Sequence, residues 1–135
     1  VKILYADDNA DLRELIQLAW APQGHEVCCV NDGVHVLEVA ESSRFDAMLL
    51  NTELPLYDGW KTLNLIRQLP EHQHTPVLMM SPLFDDEHKE LAAQLGACHL
   101  VLMPILPHDL LELLIQCVHE TGTTASTDYT WRQLC

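Results

Sequence analysis

An α/β fold, with a five-stranded parallel sheet covered by helices on both faces, is predicted by three observations. Short apolar runs alternate with helix-period segments five times along the chain. The central run, Ala47 to Leu50, is continuously apolar, as a strand buried on both faces requires. Finally, 135 residues at 48% hydrophobic content suffice for one core and are too few for two.

Each element has a local reason. Ile3 to Ala6 is a compact first strand, after which Asn9 can cap a helix carrying Leu12, Leu15, Ile16 and Ala19 on one face. Pro22 and Gly24 end that helix. Val27 to Val30 is the second strand, and Asp32-Gly33 leads into a helix turning Val34, Leu37 and Ala40 inward. Ala47 to Leu50 runs directly into Asn51. The third helix is expected from Gly59 to Leu69, with Leu63, Ile66 and Leu69 as its apolar stripe and Pro70 as its stop. Val77 to Met80 is the fourth strand. Asp85, Asp86 and Glu87 suit the positive end of a fourth helix, which Gly96 closes in a left-handed cap. Leu100 to Leu102 is the fifth strand, and Pro107 opens a last helix bearing Leu110, Leu111, Leu114, Ile115 and Val118. Residues 1–119 form the expected domain. The Thr-, Ser- and Gly-containing stretch 120–135 reads as a tail or linker, with Trp131 and Leu134 as docking points.

Composition narrows the function. Twenty acidic against seven basic side chains give a net charge of -13, which repels a phosphate backbone and argues against direct nucleic-acid contact. No apolar stretch reaches the roughly 20 residues of a membrane span, so a cytoplasmic domain is expected. Val1 in place of an initiator methionine reads as a piece of a longer polypeptide. Cys28, Cys29, Cys98, Cys117 and Cys135 are odd in number and lack a C-x-x-C pair, so reduced core thiols are expected, with Cys135 a reactive exception. His72-x-His74 has no third ligand nearby and reads as an exposed loop. Asp7-x-Asn9-x-Asp11 imitates a calcium loop, but Leu12 stands where its turn glycine belongs.

In an open parallel sheet, functional groups gather at the carboxyl ends of the strands. That rule selects Asp7-Asp8, Asn51, Ser81 and Met103-Pro104, which should converge on one cleft. Together with Leu54-Pro55-x-x-Asp58-Gly59 and Gly96-Ala97, these residues give a pattern that resembles bacterial two-component receiver domains from Lys2 to about His119. The resemblance implies a flavodoxin-like doubly wound sheet of order 2-1-3-4-5, a cis bond before Pro104, and a signalling role with no catalytic residue of its own. It also implies a phosphoryl site: an acidic pair (Asp7, Asp8) and a carbonyl (Glu53) around a divalent ion, an acceptor aspartate, a hydroxyl (Ser81) and a lysine.

This chain departs from the pattern at three places. Asn51 stands at the acceptor position, and its amide oxygen is a poor nucleophile. Met103 replaces the lysine, and Pro82 lacks the backbone N–H that follows the hydroxyl. Leu100 occupies the position of a switching aromatic residue. The expectation is a pseudo-receiver, a phosphorylation-independent interaction module meeting a histidine kinase, an output domain or a second copy of itself through the fourth helix, fifth strand and fifth helix. One alternative is an ordinary phospho-accepting receiver whose aspartate was replaced by engineering to give Asn51. Another is a flavodoxin-like cofactor-binding module, against which the acidic loop Asp7 to Asp11 speaks. Asp7, Asp8, the Asn51 side-chain oxygen and the Glu53 carbonyl are suited to Mg²⁺ or Ca²⁺. The competing reading is a hydrated acidic cleft whose acids cap the first helix.

Overall fold

Strand β1 (Lys2–Ala6) lies at the middle of the molecule's construction, since both its neighbours in the sheet are reached by crossover helices. The computed structural model describes residues 1–120. Its other strands are β2 (Glu26–Val30), β3 (Ala47–Asn51), β4 (Val77–Ser81) and β5 (His99–Leu102), all parallel, in the order β2-β1-β3-β4-β5. The helices are α1 (Ala10–Trp20), α2 (Gly33–Ser42), α3 (Gly59–Ile66), α4 (Asp86–Gln94) and α5 (Pro107–His119). The predicted sheet order and the cis Met103–Pro104 bond are both found. Tail positions Trp131, Leu134 and Cys135 lie outside the described residues.

Strand alternation divides the core in two. Leu4, Met48, Leu50, Met79 and Leu100 face one way, where Val36, Leu63, Ile66 and Ala92 of α2, α3 and α4 meet them. Ile3, Tyr5, Leu49, Leu78, Met80 and Val101 face the other, against Ile16 and Trp20 of α1 and Leu110, Leu111 and Leu114 of α5. Side-chain caps hold the helix starts: Asn9 accepts from the amides of Asp11 and Leu12, and Asp32, Asp58 and Asp85 do the same for α2, α3 and α4. Gly24 and Gly96 take the left-handed conformation that ends the turns they close.

Four expectations are corrected. On α1 the inner face is Ile16 and Trp20, while Leu15 is 46% exposed, because the fully buried indole sets the helix rotation and donates to the Pro107 carbonyl at 3.0 Å. On α2, Val36 and Ala40 are the buried pair, with Val34 only half-buried. Helix α3 stops at Ile66, and Pro70–His72 forms a separate 3-10 turn. In that turn His72 is buried, its ring meeting the Ala40 and Ser43 carbonyls at 3.0 and 3.2 Å and the Thr75 hydroxyl at 2.9 Å. Polar partners from α2 and the following loop therefore compensate its burial, so His72 departs from the exposed loop expected there, while His74 is exposed as expected.

The cysteine reading is also corrected. Cys98, just before β5, and Cys117, on the buried face of α5, form a disulfide with Cα atoms 6.3 Å apart. That separation lies within the disulfide range, and packing of α5 on the sheet creates it without any spacing signature. Cys28 and Cys29 are free thiols.

Candidate functional site

Placing the first strand between the second and third leaves a crevice beyond the carboxyl ends of β1, β3 and β4, and the residues that end these strands supply its walls. Asn51 pairs with Met80 in the ladder and Ser81 with Leu102. The cleft floor is tied by backbone bonds across it: Thr52 N–H donates to the Met80 carbonyl at 2.8 Å, and Met103 N–H to the Ser81 carbonyl at 2.9 Å. Helix α3 begins against this floor. The Gly59 N–H donates to the Thr52 carbonyl at 2.8 Å, and a side chain at Gly59 would collide with the Asn51 carbonyl and the Thr52 backbone.

The ladder register sets the ends of β1, β3 and β4 beside one another, and the Asp7, Asn51 and Ser81 side chains there are turned to protein partners. Asn51 is 9% exposed, and its Oδ1 accepts from the Glu53 N–H at 2.9 Å. Ser81 is buried, and its hydroxyl accepts from the Leu83 N–H at 3.0 Å. Because Pro82 has no N–H, the next amide donor in this loop is Leu83, and it is spent on Ser81. Met103 packs on the α1/α5 core and brings no charge. Leu100 is fully buried in the opposite core, on the side of α4. Asp8, Glu53, Pro82 and Pro104 are exposed.

Asp7 is the most constrained of the group. At 1% exposure, it accepts from the Tyr5 hydroxyl at Oδ2 (2.8 Å) and from the Asn9 N–H at Oδ1 (3.0 Å). Its backbone carbonyl accepts from the Arg13 guanidinium at 2.7 Å. Burial, then the charge of Asp7 and the bond to it, push the Tyr5 hydroxyl far above the ordinary phenol range, so it remains a donor. Burial likewise raises the neighbouring Cys29 thiol, which keeps it protonated.

Tyr5 and Arg13 were not among the predicted site residues. Tyr5 was detectable, since positions five and seven of an extended strand face the same side. Arg13 carried a weaker signal, one turn into the helix that the acidic pair precedes. The donor types around the cleft, carboxylates, an amide oxygen and a carbonyl, suit a hard cation. Among them Asp7 is buried, and each of its oxygens already accepts one hydrogen bond from the protein.

Comparison with known proteins agrees with the fold. The family model described as "Response regulator receiver domain" matches residues 3–115. The sensory/regulatory protein RpfC of Xanthomonas campestris is 28% identical over 93% of this chain, and the regulatory protein AtoC of Escherichia coli is 31% identical over 85%. The chain spans only 18% and 24% of the lengths of those two relatives. Among solved structures, the chemotaxis protein CheY4 of Vibrio cholerae superposes with a TM-score of 0.82 at 27% identity, covering 87% of this chain and 98% of that one. The receiver domain of the sensor histidine kinase PA1611 of Pseudomonas aeruginosa, crystallised with magnesium in its active site cleft, shares the fold at a TM-score of 0.79 and 24% identity, over 87% and 97% of the two chains.

Proposed function

The chain belongs to the response regulator receiver domain family, and from that membership we propose that it serves two-component signalling as a phosphorylation-independent interaction module. The observation that carries this reading is Asn51 at the end of β3, where the acceptor aspartate is expected, with its Oδ1 held by the Glu53 N–H. A neutral amide oxygen neither attacks phosphorus nor leaves a stable acyl phosphate. Met103, half-buried against the α1/α5 core, supplies no cation to a transferred phosphoryl group, and the Leu83 amide after Pro82 is taken by Ser81. These two departures favour natural degeneracy over an isolated aspartate replacement, because a single substitution at position 51 leaves both without cause.

The binding face of this module is formed by α4, β5 and α5, and its partner is a histidine kinase, an output domain or a second copy of the chain. Apolar exposure supports the assignment. Leu102 at the end of β5 is 49% exposed, and the loops on either side expose Leu83 and Leu106. None of the helices among the described residues is long and apolar enough to cross a membrane.

Intact-protein mass spectrometry after incubation with Mg²⁺ and acetyl phosphate tests the proposal. The chain and its Asn51→Asp variant are expected to stay unmodified. A phosphoryl adduct on the unchanged chain refutes the proposal, and an adduct on the variant alone makes Asn51 the single lock and brings the ordinary receiver reading forward.

A further inference from the structure

We infer that Tyr5 withdraws Asp7 from cation binding, so that the protein's own donors satisfy the buried carboxylate at the head of the cleft. This deepens the proposed reading of the same cleft and rests on it for the orientation of the acidic pair. The geometry is direct. Tyr5 and Asp7 are both 1% exposed, two residues apart on one side of β1, with Oη and Oδ2 at 2.8 Å. The other carboxylate oxygen holds the Asn9 N–H, and the positive charge nearest this segment, Arg13, sits on the Asp7 carbonyl at 2.7 Å.

A divalent ion needs a carboxylate lone pair that faces the cleft, and Mg²⁺ also keeps much of its hydration shell. With Asp7 this deeply buried, the ion can reach it only by turning the carboxylate outward. That movement breaks the Tyr5 bond and leaves a phenol hydroxyl unsatisfied in the core. A hydrogen bond to a charged group is strong enough to change an affinity at least about tenfold. Asp8, exposed beside it, is then left without its acidic partner, which weakens a site built of hard oxygens.

Isothermal titration of the full chain with MgCl₂, and separately with MnCl₂, tests the inference on three proteins: the unchanged chain, Tyr5→Phe, and Tyr5→Phe with Asp7→Asn. Tyr5→Phe is expected to bind at least about tenfold more tightly than the unchanged chain, and the added Asp7→Asn to abolish the gain. Equal affinity of the unchanged chain and Tyr5→Phe overturns the inference, as does a gain that survives Asp7→Asn. Should Tyr5→Phe fail to fold, a tyrosine ¹³Cζ NMR titration of the unchanged chain with MgCl₂ decides. Saturable binding with the Tyr5 resonance unmoved overturns the inference, whereas binding only in step with a shift of that resonance supports it. Neither arm involves phosphoryl transfer, so the acetyl phosphate result at Asn51 stands or falls separately.

Discussion

Lowering the pH should destabilise this domain in large part through His99. It lies at the start of β5, fully buried, and strand alternation puts it on the same side as Val101, toward α5. Burial lowers its pKa from the ordinary 6.5 to about 4. Because the folded value is the lower one, the unfolded chain takes up the proton first. Stability is therefore whole above pH 6.5 and falls as the pH drops from there to about 4, below which this residue adds no further loss. At about 1.4 kcal/mol per pKa unit the full effect is about 3 kcal/mol, and about 2 kcal/mol of it is lost by pH 5. Urea unfolding of the chain and of His99→Leu at pH 7 and pH 5 isolates it, since the carboxylates titrate in both proteins. The unchanged chain should lose about 2 kcal/mol more than the variant over that interval. Equal losses would show that His99 carries its proton as readily folded as unfolded, and the reasoning would fail.

Three further outcomes are expected. Gly59→Ala places a methyl against the Asn51 carbonyl and Thr52 backbone and should cost about 2–3 kcal/mol by denaturant titration, because backbone cannot step aside as a side chain can. Arg67, buried enough that its guanidinium falls to about 10, donates to the carbonyls of His72, Thr75 and Gly96 at 2.7–2.8 Å. Arg67→Met removes the donors that join the end of α3 to two loops and should lower the unfolding free energy by about 2–3 kcal/mol, whereas an exposed control such as Lys61→Met should stay within about 0.5 kcal/mol. Opening the Cys98–Cys117 bridge, which joins residues 19 apart, should cost about 3 kcal/mol, read as the difference between urea midpoints with and without reductant. The double variant Cys98→Ala, Cys117→Ala should show no such difference.

What was readable in advance followed from short-range chemistry. Each strand is a short apolar run between turn residues, so the five strands could be stated, whereas their order came only from the receiver resemblance, and Asn9, Asp85 and Gly96 announced helix ends within one turn of where they fall. The strand-end rule placed Asp7, Asn51, Ser81 and Met103 around one cleft. The misses depended on distance in space instead of in sequence. His72 is buried because acceptors about thirty positions earlier arrive beside it, and Cys98 meets Cys117 only once α5 lies on the sheet. Leu15 and Trp20 compete for the inner face of α1, and periodicity alone does not say that the indole takes it. Tyr5 was overlooked because an aromatic residue in a buried strand reads as packing, although its hydroxyl requires a partner once buried.

The departures in the cleft bear on signalling as a set. A ligand moves a conformational equilibrium only by the difference in its affinity for the two states, so a cleft that switches must hold groups able to bind something in one state alone. Here the Asn51 oxygen is on Glu53, the Ser81 hydroxyl on Leu83, the Asp7 oxygens on Tyr5 and Asn9, and Met103 against the α1/α5 core. Leu100, where the resemblance implies a switching aromatic, is fully buried against the α4 side and has no polar tip to seek a partner in the cleft. A phosphoryl group arriving at such a cleft finds little differential interaction with which to move α4 or β5. If the domain acts as the proposed phosphorylation-independent module, an α4, β5 and α5 face with Leu83, Leu102 and Leu106 exposed at its edge would be presented in one state, and control would pass to the concentration and affinity of the partner.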